Sequence, residues 1–342
     1  MIVFKLITIL LALRTGSLLR INLIIIILLI LLCISINIYS IGEKESGLII
    51  PSDSSIIFKI EIEEILNSNL GHKLLDLLFY TPPEINKTIE GKQLLELYLK
   101  NRWCIDLDNL KRIYIFTSSL NLYSLNYEIG AIIELIATNP EVVINCIKKE
   151  IKLTGSVYKN QTYYFGEENG EVFYISYQKT GFLISNNKPG MEKMLNVVSG
   201  NDDISKNENL FKLVRLYSNN MIYGAGYLKQ NSHIFFPPPF NAITKFGLAI
   251  EINNSINANL TAFTENSNKA EEIIEILNGY INFFIMIVEA RSKEAGKIVR
   301  SFYDSMDIKI SGASVLLEVE LSKNDIDKVL LLIPIIENMN NQ

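Results

Sequence analysis

The chain has 342 residues, 49% of them hydrophobic and 20% charged, with a net charge of −5. Those fractions describe a folded body with a real core. Acid and base alternate without a Lys/Arg run beyond pairs such as Lys148-Lys149, which excludes the basic face of a nucleic-acid binder. With two histidines, neither near a cysteine, a structural zinc site is not expected, and no cofactor motif stands in its place.

In chain order, residues 1–20 read as a cytoplasmic n-region. The apolar stretch Ile21–Ile41 follows, with Arg14 and Arg20 before it and Glu43, Lys44 and Glu45 after it. Its length matches the ~20 residues that a helix needs to cross the hydrocarbon, and the flanking charges put the N-terminus inside and the body outside. The same residues fit a signal peptide, with Leu23–Ile34 as the h-region and Ser40-Ile41-Gly42 near a cleavage point. Ile38, Tyr39 and Ile41 make a poor cleavage region, which favours a retained anchor. A linker, 42–53, leads to the body.

The body divides into an α+β domain over 54–230, a Pro/Phe-rich connection over 231–244 and a second α+β unit over 245–335. The period-two run Ile56–Ile62 predicts a strand. Helical periodicity follows from about Glu63 to Phe79, and again from Ile89 to Lys100. Asp106 and Asp108 enter strand 110–118 and suit turn and cap roles better than a metal pair. After strand 128–137, Asn139 and Pro140 open a helix that carries Cys146. Cys104 and Cys146 read better as small hydrophobes than as a disulfide, though an oxidising compartment would let them pair. Four short strands lie between 155 and 185. Helices near 189–198 and 209–217 and a strand at 221–228 complete the first domain.

The loop from His233 holds Phe235, Phe236, Pro237, Pro238, Pro239 and Phe240. Three prolines forbid regular structure, so the loop is a rigid crossover tucked on the core or an exposed contact for membrane or protein. The second unit then predicts strands at 246–252 and 258–264, helices at 269–290 and 293–303, strands at 307–311 and 315–321, and a helix from Lys323. Ser322 and Asp325 are spaced as a capping box. Tyr280 to Val288 is apolar almost all round. Burial between sheet and neighbours is the commoner reading, and a lipid-lining surface bearing Tyr280, Phe283, Phe284 and Met286 is the sharper one. The run alone is too short to span a membrane.

Glu128 to Val198 and Phe246 to Ile333 share an order of parts, strand to helix to strands to helix, which argues for antiparallel sheets with helices packed on one face. The Asp106-Leu107-Asp108-Asn109-Leu110 strand entry, the Thr138-Asn139-Pro140-Glu141 step and the Tyr163-Tyr164-Phe165-Gly166 to Gly181–Asn187 hairpin step resemble a family of bacterial envelope proteins known only as a domain of unknown function. The resemblance implies an extracytoplasmic, signal-anchored protein of repeated α+β units, and it brings no catalytic residue.

No Gly-x-Ser-x-Gly elbow, phosphate loop or dinucleotide fingerprint occurs, and Gly224-Ala225-Gly226 lacks a third glycine and a following helix. The expectation is therefore a non-catalytic binding or structural module outside the cytoplasm, held to the membrane by its N-terminal helix and meeting an envelope protein or lipid. A carrier of lipid or another hydrophobic ligand is the alternative, and a carboxylate-based enzyme comes after it.

Overall fold

A computed structural model of the chain describes residues 49–71, 73, 91–118, 128–136, 139–168, 170–178, 181–228 and 238–328. The expected anchor at 21–41, His72, His233 and the loop residues Phe235, Phe236 and Pro237 lie outside them. Strand β1 (Ile56–Glu61) is followed by helices α1 (Ile62–Asn67) and α2 (Gly91–Trp103), strands β2 (Leu110–Thr117) and β3 (Ile129–Leu135), and helix α3 (Pro140–Glu150). A four-strand meander comes next: β4 (Thr154–Tyr158), β5 (Gln161–Glu168), β6 (Glu171–Gln178) and β7 (Gly181–Ser185). Helices α4 (Lys188–Val198) and α5 (Glu208–Tyr217) precede β8 (Ile222–Tyr227), β9 (Ile243–Ile252) and β10 (Ser255–Thr264). The last elements are α6 (Ser267–Arg291), α7 (Lys293–Asp304), β11 (Met306–Ser311) and β12 (Ser314–Ser322), with residues 323–328 helical after them.

Local chemistry explains the boundaries. Pro140 starts α3, and the Asn139 side chain accepts from the Glu141 N–H at 3.0 Å. Asn187, Asn207, Asn266 and Ser292 cap α4, α5, α6 and α7 in the same way. At Ser322 the box closes reciprocally. The Ser322 N–H donates to Asp325 Oδ2 at 3.1 Å, and the Asp325 N–H donates to Ser322 Oγ at 3.3 Å. Lys159 and Asn160 both take positive φ, 47° and 64°, as the two-residue turn between β4 and β5 requires.

The twelve strands among the described residues join one antiparallel sheet, in the order β11-β12-β10-β9-β8-β1-β2-β3-β7-β6-β5-β4. The first domain expected from the sequence and the second unit share this sheet through the β8–β9 ladder, in which Tyr223 faces Ala249 and Gly226 faces Phe246. The repeat in the sequence has a topological counterpart. After α3 the meander returns so that β7 pairs with β3, and after α6 and α7 the hairpin returns so that β12 pairs with β10.

Helices cover both faces, which corrects the expected one-sided packing. On one face α2 and α3 set Leu95, Leu99, Val143 and Ile147 over Ala131, Ile133, Phe182 and Ile184. Farther along the same face, α6 and α7 put Leu277 and Phe302 over Ile250, Ala258, Leu317 and Val319. On the opposite face α4 and α5 bury Met191, Met194, Leu195, Leu213 and Val214 against Ile57, Tyr114, Ile132, Leu183 and Tyr223. The reason is visible in β3 and β7, whose runs GAII and GFLIS are buried at consecutive positions, so side chains pointing either way need cover. Glycines on β8 make room for rings on neighbouring strands. A Cβ on Gly224 would sit 2.5 Å from the Phe58 ring, and one on Gly226 would sit 2.0 Å from the Phe246 ring.

The central strand carries a buried ionic cluster. Lys59 and Glu61 are 3% and 6% exposed, with their charged atoms 3.1 Å apart. Arg112 on β2 places Nε 3.1 Å from Glu61 and 3.3 Å from Glu134 on β3. The Lys59 ammonium also donates to the Ser218 carbonyl just past α5 and lies 5.1 Å from the Tyr223 ring centroid. Lys59→Met is expected to cost about 3 kcal/mol, the low end of the range for orphaning one member of a buried pair, because Arg112 still faces Glu61. Lys59→Met combined with Glu61→Gln should cost less than either change alone. Urea unfolding of the three variants measures both.

Candidate functional site

Helix α6 has 25 residues, and its Ser267–Ala290 stretch is long and apolar enough to cross a membrane by length and composition alone. In the fold its inner side is a layer of the core. Ala270, Ile273, Leu277, Ile285 and Val288 are buried, and Phe284 is half-buried against Val288 and Ala295 where α6 meets α7. Its outer side is bare: Ile276 is 38% exposed, Tyr280 55%, Phe283 55% and Met286 57%. These positions recur at the three- and four-residue spacings that stack side chains on one helical face. Burial of Tyr280–Val288, the commoner reading from sequence, therefore holds for Ile285 and Val288 and fails for Tyr280, Phe283 and Met286. A helix that is apolar all round has a side to spare once one side meets the sheet.

The structure brings the two regions singled out in the sequence together. Phe240, at the end of the proline loop, stacks on Tyr280 with ring centroids 6.4 Å apart and planes at 19°. Pro239 is buried and Pro238 exposed, so this end of the loop is pinned to α6. The bare face runs from Ile276 to Ala290, about four turns or roughly 21 Å. Gly279 lies within it, and among the described residues nothing outside its own helix backbone comes within 4 Å of where a Cβ would be. Glycine in an exposed helix interior costs about 1 kcal/mol relative to alanine, and no contact among the described residues accounts for it.

Charge is unevenly placed around this face. Glu271, Glu272 and Glu275 are exposed in the turns before it, with Lys269 answering Glu272 at 2.6 Å. Lys293 and Lys297 are exposed at the other end, on the first turns of α7, while Arg300 pairs with Glu289 at 2.8 Å. Among the described residues Glu271, Glu275, Lys293, Glu294 and Lys297 make no ion pair.

Two other polar clusters serve the fold. Burial raises the Glu134 carboxyl above its ordinary range despite Arg112, and it raises Glu64 and Glu251, where Glu61 and Glu64 respectively repel the charge further. Glu61 and Glu134 are both engaged by Arg112, so the cluster offers no paired acid and base. The second cluster ties α4 to the sheet. The Lys193 ammonium lies 2.6 Å from Asp53 and 2.5 Å from Glu128, and Ser118 donates to Glu128 at 2.7 Å. Beside it lies a cavity of about 10 Å³, lined in part by Ser54, Phe116 and Lys193, room for one water. The buried Ser54 hydroxyl has no hydrogen-bond partner among the described residues. Lys193 is no base for it, since its two carboxylates outweigh burial and hold its pKa up. Asp106 precedes and Asp108 lies within the 3-10 turn Leu107–Asn109, both exposed, with Asp106 3.4 Å from Lys100. Among the described residues no three His, Cys, Asp or Glu side chains converge as metal ligands.

Sequence reasoning missed the covalent link. Cys104, at the end of α2, is joined to Cys146 on α3 by a disulfide, with their Cα atoms 6.0 Å apart. Their separation of 42 residues carries no signal of pairing; only the packing of α2 on α3 brings them together.

No family model matches the chain, and no curated protein does. Among solved structures, crystal form IV of TP0453 aligns over 84% of this chain and 99% of its own, at 10% identity and a TM-score of 0.41. At that distance nothing is carried over to this chain.

Two expectations follow. At protein concentrations low enough for single copies, Phe283→Ser should change stability by no more than about 0.5 kcal/mol, as for exposed positions, whereas Ile285→Ala two residues on should cost about 2–5 kcal/mol; denaturant titration separates them. Burial opposes the Glu128 charge, but Lys193 and Ser118 outweigh it and hold the carboxyl below its ordinary range. A carboxyl depressed in the folded state adds stability that is present above its unfolded value and lost as pH falls through the folded one. Below about pH 4.5 the wild type should thus lose stability more steeply than Lys193→Met, which thermal melts from pH 3 to 7 would show.

Proposed function

We propose that this chain is a membrane-tethered extracytoplasmic module that works by binding, and that the outer face of α6 is its working surface. One observation carries the reading: Ile276, Tyr280, Phe283 and Met286 form a contiguous apolar face that the fold leaves uncovered. Contiguous exposed patches of this kind mark contact sites, whereas scattered apolar residues do not. The Cys104–Cys146 disulfide fits an oxidising compartment, and the Ile21–Ile41 stretch with its preceding arginines fits a tether that puts the body there. The apolar side chains of this face point outward rather than into a cavity, so this site favours docking over enclosure of a lipid.

The test is photo-crosslinking in cells with p-benzoylphenylalanine at position 283, with the exposed Glu171 position on β6 as control. A discrete adduct at 283 and none at 171 is expected, and equal labelling at both sinks the reading. Thiol alkylation before reduction checks the compartment. Cys104 and Cys146 should resist the reagent until reduced, and ready labelling of both would place the body in a reducing compartment. Replacing both by serine should cost about 2–4 kcal/mol, the scale for closing a loop of this length.

A further inference from the structure

Resting on the reading of α6 as the working surface, we propose that its occupant is a second copy of this chain, with the two α6 helices packed antiparallel about a two-fold axis near Phe283. Three observations point to a self-complementary partner. The first is charge. The uncommitted acids Glu271 and Glu275 precede the apolar face, and the uncommitted bases Lys293 and Lys297 follow it, with the unpaired Glu294 between them leaving that end net basic. A two-fold axis through the middle of the face sets the acidic end of one copy against the basic end of the other, twice over. A parallel arrangement would set like against like. Isologous contact is the commonest form of closed self-association, because one patch serves both sides.

The second is Gly279. Glycine weakens the interior of a helix, and among the described residues nothing outside its own helix backbone approaches this position. In the antiparallel register centred on Phe283, Gly279 of one copy lies opposite Ile287 of the other, and Ile276 lies opposite Ala290. A position without a side chain lets two helix axes come close, which a lipid surface does not require. Gly279 therefore favours a rigid partner over a membrane.

The third is area. Tyr280, Phe283 and Met286, each more than half exposed, leave on the order of 100 Å² apiece uncovered, since a large aromatic offers about 150–250 Å². With Ile276 and the Phe240–Tyr280 stack at its margin, the face yields several hundred Å² per copy. Doubled, that approaches the roughly 1,000 Å² which a specific interface clears. Tethering to one membrane would raise the local concentration and help a pair of this size to persist.

The experiment uses the full chain in mild detergent, with Cys33→Ser so that Cys104 and Cys146 remain joined to each other. Oxidation of Phe283→Cys should convert most of the chain to a covalent dimer on non-reducing gels. Ile276→Cys and Ala290→Cys should crosslink well only when mixed, which reports the antiparallel register. Gly279→Ala should melt at a higher temperature yet dissociate at least tenfold more readily in sedimentation. Glu271→Lys/Glu275→Lys and Lys293→Glu/Lys297→Glu should each lose self-association at least tenfold, and mixing the two should restore it, because both ends of the mixed pair are then complementary. A monomer throughout, or a dimer that no cysteine at 276, 283 or 290 captures, overturns the proposal. Adducts from position 283 to lipid or to a different protein, without Phe283→Cys dimers, remove the self-pairing and leave α6 as the working surface. No adduct of any kind from position 283 removes both.

Discussion

The strand Ile56–Glu61 holds the sheet together, and its buried charges set the terms on which it does so. β1 lies between β2 and β8, so every hydrogen-bonded path from the β3–β7 meander to the β9–β12 end runs through its ladder. Lys59 and Glu61 point to the face that α4 and α5 cover, where charge survives only if it is answered. Arg112 answers Glu61 from the next strand, and the Ser218 carbonyl answers Lys59 from the end of α5. A hydrophobic pair could fill the same space. The ionic one ties β1, β2, β3 and the end of α5 to a single register, because a shift by one residue would send Lys59 to the face held by Phe58 and Ile60.

From that spine the layers follow. Consecutive buried positions in β3 and β7 demand cover on both sides, and α2 and α3 on one face and α4 and α5 on the other supply it. Toward the β11 end, cover comes mainly from α6 and α7 on one face. There the bill for apolar residues exceeds what the sheet can bury, and the surplus on α6 is turned outward in one contiguous face rather than scattered. Phe240 adds to its margin by stacking on Tyr280. The proposed binding role and the proposed self-pairing both rest on this surplus.

Much of the architecture was legible in the residues. The alternation in Ile56–Glu61, the Asn139-Pro140 and Asn187-Lys188-Pro189 starts and the Ser322/Asp325 box announced their elements within a few residues of where they lie. Such signals are local: a cap or a period of two is complete within a handful of neighbours. The return topology shared by β3–α3–β7 and β10–α6–β12 was visible as a shared order of parts, since chain order and short turns leave antiparallel strands few ways to pair.

The sequence by itself therefore determined where most strands and helices lie and that the sheet is antiparallel, although the helix expected from Glu63 to Phe79 breaks after Asn67, where Ser68 is extended. The tertiary structure alone decided that both faces of the sheet are covered, that Cys104 meets Cys146 across 42 residues, and which side of α6 stays bare. The physical reason is the same in all three. A helix that is apolar all round, as at Tyr280–Val288, carries no period to say which side is inner. A lone cysteine has no pattern to name its mate. Only the packing of distant elements against one another makes those choices.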